Sequence, residues 1–79
     1  MAHVNDFKMT TIEKVGVINT STRGSLELRK TEVNDIQKWD IRMWMVGDDG
    51  VEKCGKGIRL TDDELFKLGE IINNMDSFE

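Results

Sequence analysis

A chain of 79 residues with a formal net charge of −4 has room for one small domain, and its core is marginal enough that a second copy would help stabilise it. Its 33% charged residues, ordinary apolar content and lack of proline exclude the composition of a disordered tail, and no apolar run approaches a membrane span. The single cysteine, Cys54, excludes an internal disulfide and a cysteine-rich zinc cluster; with no secretory pattern over Met1 to Met9, the expected address is the cytosol.

The first ten residues show no apolar periodicity and read as a mobile leader to a single domain over 11–79. From Thr11 to Thr20 the string TIEKVGVINT is rich in β-branched residues, which predicts a first strand with Val15 and Val17 on one face. Ser21 to Gly24 form a turn. Leu26 and Leu28 alternate with Glu27 and Arg29 in a second strand that runs to Val33, and Asn34 and Asp35 favour the next turn. Lys38 to Met45 make the third strand. Asp49-Gly50 signals a hairpin, and Val51 to Leu60 return as the fourth strand, with an irregularity expected at Gly55-Lys56-Gly57. Thr61 then caps a helix, Glu64 completes a capping box, and Asp62 and Asp63 sit where the helix dipole favours negative charge. Leu65, Leu68, Ile72 and Met75 form the stripe expected to pack on the sheet, widened by Ile71, and Phe66 lies opposite it as a solitary aromatic or a subunit contact.

Alternation along the third strand puts Trp39, Ile41, Met43 and Met45 on one side and Lys38, Asp40, Arg42 and Trp44 on the other. The first set can build a core. An exposed tryptophan beside Arg and Lys is the pattern that stacks bases while holding phosphates. On the residues alone, an equal alternative is that Trp44 closes a hydrophobic edge and Arg42 pairs with Asp40 or Glu52. Charge does not exclude nucleic acid: residues 1 to 60 hold ten Lys or Arg against nine Asp or Glu, and residues 61 to 79 hold one against six. The acidity is concentrated in the last segment, so the sheet face can be locally positive, with weak and salt-sensitive binding.

The order of three segments, DIRMW on one strand, EKCGKGIRL on the next and a helix beginning TDDEL, resembles the transcriptional coactivator family of positive cofactor four, in particular its small bacterial members. The resemblance covers about residues 12 to 75 and rests on Asp40, Ile41, Arg42 and Trp44, then Lys53, Lys56, Gly57, Ile58 and Leu60, then Thr61 to Ile72. It implies an α+β fold, a curved four-stranded antiparallel sheet followed by one C-terminal helix, assembled as a homodimer. It also implies sequence-independent binding of single-stranded DNA on the sheet face, with a role in transcription, replication or repair, and extends the expected partners to the transcription machinery. Carried over by position, Arg42 and Trp44 lie in the groove and Lys53 and Lys56 reach phosphates from the neighbouring strand. Arg23 in the first loop, Arg29 and Lys38 are further candidates, each equally readable as a solvated charge. Where bacterial relatives often carry aromatics, this chain has Ser25 and Val33, so fewer stacking platforms are expected.

Other motifs are weaker. Gly55-Lys56-Gly57 lacks the length and terminal residues of a phosphate-binding loop. Asp48, Asp49 and Glu52 do not match a calcium-loop spacing, and His3 has no partner that would make it a base or a ligand. Cys54 reads as a buried strand cysteine. The expectation is therefore a non-enzymatic binder without cofactor or metal, associated with the nucleoid. Two other readings stay open: a protein-interaction module anchored by Trp44 and Phe66, and RNA as the ligand, since no residue reports a 2′-hydroxyl contact.

Overall fold

The computed structural model describes residues 8–75. Most of the expected leader, including His3, lies outside them, while Thr10 already belongs to the first strand. Four strands, β1 (Thr10–Ser21), β2 (Gly24–Val33), β3 (Ile36–Val46) and β4 (Glu52–Leu60), are followed by one helix, α1 (Asp62–Asn73). The strands form one antiparallel sheet in the order β1-β2-β3-β4. The fold is α+β, as expected.

The turns follow from their residues. Asn34 and Asp35 both take positive φ, 52° and 67°, which is how a two-residue hairpin matches the twist of its strands. At the β3–β4 turn Gly50 has φ 77°, its N–H donates to Gly47 O at 2.9 Å, and Gly47 N–H donates to Val51 O at 3.1 Å.

β1 departs from simple alternation. Its pairing with β2 shifts between Thr11 and Glu13, between Lys14 and Gly16, and between Val17 and Asn19. These irregularities fall at Ile12, Val15 and Ile18, so Val15 stands in a bulge, outside the simple alternation expected to group it with Val17, which pairs with Glu27. Each bulge adds twist and leaves a residue unpaired. That blunts an edge that would otherwise invite another strand.

Pairing separates two faces. One carries Leu26, Leu28, Trp39, Ile41, Met43, Met45, Ile58 and Leu60, and the other carries Glu27, Arg29, Thr31, Asp40, Arg42, Trp44 and Arg59. α1 packs beside the apolar face and touches only β3 and β4. Its start is as predicted: Glu64 N–H donates to Thr61 Oγ1 at 3.2 Å and Thr61 N–H to Glu64 Oε1 at 2.8 Å. The indole Nε1–H of Trp39 donates to Asp62 Oδ1 at 2.6 Å, tying the helix N-terminus to β3. Leu65 and Leu68 are half-buried, but Ile72 and Met75 are exposed, so the predicted stripe docks through its first part alone.

Burial is inverted relative to a simple two-layer domain. Among the described residues, Trp44 is the one buried large hydrophobic, whereas Arg29, Thr31 and Asp40, all on the polar face, are almost wholly inaccessible. The apolar face is only half covered.

Candidate functional site

The polar face is built around β2 and β3. Antiparallel register places Glu27 opposite Arg42, Arg29 opposite Asp40 and Thr31 opposite Lys38, so these side chains stand as neighbours. Glu52 and Arg59 approach from β4, opposite Val46 and Asp40. Thr11 and Lys14 approach from β1, opposite Thr31 and Arg29.

Arg29 is at the centre. Its Nε donates to Glu27 Oε1 at 2.8 Å, Nη1 to Thr11 Oγ1 at 2.9 Å and Glu52 Oε1 at 3.3 Å, and Nη2 to Glu52 Oε2 at 2.8 Å. The guanidinium carbon lies 3.6 Å from the centroid of the Trp44 ring, a cation–π stack removed from water, where such contacts are strongest. Burial pushes the Glu27 carboxyl up, and the hydrogen bond and charge of Arg29 more than offset that, leaving it below its ordinary value of 4.5. Glu52 is lowered in the same direction, first by its hydrogen bond from Arg29.

Two expectations about this centre are corrected. Trp44 is not an exposed platform: it is 8% accessible, because Arg29 lies across its ring. Nor is Arg29 a solvated charge, being 1% accessible with carboxylates from two strands on its fork. The indole Nε1–H of Trp44 is buried and has no acceptor among the described residues. A donor left so is costly, typically about 1 to 3 kcal/mol.

Arg42 takes the arrangement left open as the alternative. It pairs with Asp40, Nη2 to Oδ2 at 2.7 Å and Nε to Oδ1 and Oδ2 at 2.8 and 2.9 Å, and reaches Gly55 O at 3.2 Å through Nη1. The side chain can lie flat across β4 because residue 57 is glycine. A Cβ there would collide with Arg42 Cβ and come 2.7 Å from Arg42 Nε.

The remaining candidates divide. Lys38 is on the polar face, as expected. Lys53 is not: it pairs with Met45 on the apolar face, whereas Cys54 pairs with Trp44. The extra residue of the irregularity between Arg42 and Trp44 reverses the alternation of β4. Lys56 lies within that irregularity and is exposed. Arg23 is exposed in the β1–β2 turn, at the Trp44 end of the sheet, with its backbone N–H donating to Ser21 Oγ. Cys54 is exposed rather than buried.

Two cations of this face were missed by reading the sequence. Arg59 donates to Thr31 Oγ1 and Thr31 O at 3.3 Å and has no carboxylate within ion-pair distance among the described residues. Its position between Ile58 and Leu60 is a period-two signal that could have found it. Lys14 reaches the face only through the bulges of β1, which alternation does not reveal. With these, Lys14, Arg29, Lys38, Arg42 and Arg59 stand against Glu27, Asp40 and Glu52, an excess of two positive charges in a chain of net −4.

Among the described residues there is no group of three or more His, Cys, Asp or Glu placed to hold a metal ion. No helix of the described residues is long and apolar enough to cross a membrane.

No known protein-family model matches the chain, and no solved structure matches it. An uncharacterized protein of Treponema pallidum (strain Nichols) is 36% identical over 73 residues, an alignment that covers 90% of this chain and 82% of the other. At that identity and coverage, the chain belongs to the same family as the uncharacterized Treponema pallidum protein.

Proposed function

We propose that this chain is a non-enzymatic, homodimeric binder of single-stranded DNA, with little sequence preference, and that the polar face of the sheet is its interface. The observation that carries the reading is the positive excess on that face in an acidic protein. Phosphates supply most of the affinity of such binding, through release of their counterions. Arg59 has a charge uncommitted to any carboxylate among the described residues, and Lys14 and Lys38 flank the buried cluster. The resemblance to the positive cofactor four family supports the same assignment and a role in transcription, replication or repair, with association with the nucleoid.

Homodimer formation is supported by what the protomer leaves uncovered. Ile12, Val15 and Ile18 on β1 and Phe66, Ile71 and Met75 on or beside α1 are exposed, apolar side chains that a partner surface would remove from water. A second copy that covers the free part of the apolar face and α1 would complete a core that one protomer of this size cannot build.

The test is a titration of a fluorescent mixed-sequence single strand at two salt concentrations, with duplex DNA and RNA of the same sequence as competitors. The expected result is salt-dependent binding with the DNA single strand preferred. Absence of binding at low salt would overturn the reading, and preference for RNA would change the ligand while keeping the face.

A further inference from the structure

The Arg29 guanidinium occupies the position over Trp44 that a stacked base would take. Its distance from the ring centroid, 3.6 Å, is a stacking distance, and a planar cation fills the π-face as a planar base does. Trp44 is thus already stacked in the free protein. Phosphate contacts elsewhere on the face would leave it untouched, and base stacking requires Arg29 to leave.

The way Arg29 is held shows where exchange can begin. On one side Glu27 accepts from Nε and its side chain is 12% accessible; on the other Glu52 accepts from Nη1 and Nη2 in a fork and its side chain is 41% accessible. A phosphate presents the same two-oxygen geometry to a guanidinium as a carboxylate does. It can therefore replace Glu52 from the open side without leaving Arg29 uncompensated. Lys14 lies opposite Arg29 on β1 and can receive the released carboxylate. The unpaired Trp44 Nε1–H gives the closed arrangement a defect that a ligand oxygen would repair.

Resting on the nucleic-acid reading of this face, we propose that Arg29 is a latch on the Trp44 platform. Binding of a single strand exchanges the Glu52 carboxylate for a backbone phosphate on the Arg29 fork, draws the guanidinium off the ring, and admits a base in its place. The latch selects ligands that offer a phosphate and an unpaired base together. Duplex DNA, whose bases are already stacked, cannot repay the loss of the Arg29 contact.

The experiment uses the Trp39→Phe protein, in which Trp44 is the one remaining indole, titrated with oligodeoxythymidylate and with an abasic phosphodiester strand of the same length. Anisotropy of a label on the strand reports binding independently of the indole. Expected is a change in Trp44 emission with the thymidylate strand that saturates with the anisotropy and exceeds the change with the abasic strand, whose phosphates can engage the Arg29 fork but which has no base to take its place on the ring. In the unaltered background, Glu52→Gln is expected to tighten binding by about three- to tenfold, since a larger fraction of molecules is open. Glu13→Gln, which removes the same charge from the other face of β1, should tighten it less. Anisotropy that rises while Trp44 emission responds alike to both strands would overturn the latch and leave the binding function standing. Equal effects of Glu52→Gln and Glu13→Gln would also overturn it. No rise in anisotropy with either strand would overturn the binding function and the latch with it.

Discussion

Asp40 and Arg42, two residues apart on one face of β3, form an ion pair in which the carboxylate has no exposed surface. The pair is compact because alternation returns residue 42 to the side of residue 40, and because Gly57 on β4 leaves the guanidinium room to lie flat. Removing one member of such a pair leaves the other charge buried without compensation. Asp40→Ala is therefore expected to lower stability by about 3 to 5 kcal/mol, measured by urea unfolding, with Asp40→Asn less harmful because it retains an acceptor. A loss under 1 kcal/mol in Asp40→Ala would mean that Arg42 readily finds another partner.

Acid should weaken the protein through Glu27 and Glu52. Both have pKa values held below the ordinary 4.5, Glu52 first by the Arg29 hydrogen bond and Glu27 by the same residue against the opposing effect of burial. A carboxyl with a lowered folded-state pKa contributes stability that is fully present above its unfolded value and disappears as pH falls through the folded one. The melting temperature should thus be insensitive to these two groups from pH 7 down to about 5, then fall below about pH 4.5. In Glu52→Gln part of that fall should be absent. An acid limb identical to that of the unaltered protein would show that Glu52 does not carry it.

Arg59 and Lys53 stand near opposite ends of β4 at an even spacing that simple alternation would put on one face, but they lie on opposite faces of the sheet. If the polar face meets phosphates, Arg59→Ala should reduce the slope of log affinity against log salt by about 0.7 for each phosphate contact it makes. Lys53→Ala should leave that slope nearly unchanged. The reverse order would move the interface to the apolar face.

Phe66 is 71% exposed and lies on the side of α1 away from its half-buried Leu65 and Leu68. Placing a carboxylate there costs the protomer little, whereas in a subunit contact it would be desolvated and unpaired. If the proposed homodimer forms through this side of α1, sedimentation of Phe66→Asp should show more monomer than the unaltered chain at the same concentration, with its far-ultraviolet circular dichroism preserved. A dimer of unchanged affinity would place the subunit contact elsewhere.

Much of the architecture was legible along the chain. The Asn34-Asp35 and Asp49-Gly50 turns, the alternation of β3 and the Thr61 to Glu64 capping box depend on residues within a few positions of one another, and each appears as expected. The bulges of β1 were not legible, because they depend on how that strand coils across β2. The face of Lys53 was missed for a related reason: one extra residue in the β4 pairing reverses every side chain on its far side.

The candidate site divides along the same line. Sequence by itself determined which residue types share a strand face, Lys38, Asp40, Arg42 and Trp44, because period two is a property of extended backbone. It also determined that the chain's acidity is concentrated after residue 60. Only the tertiary structure decided that Arg29 lies across Trp44 and that Glu27, Glu52 and Thr11 hold it there. Those partners come from three different strands, and apart from Glu27, which is two positions from Arg29 on β2, their distances are set by cross-strand register rather than by spacing along the chain.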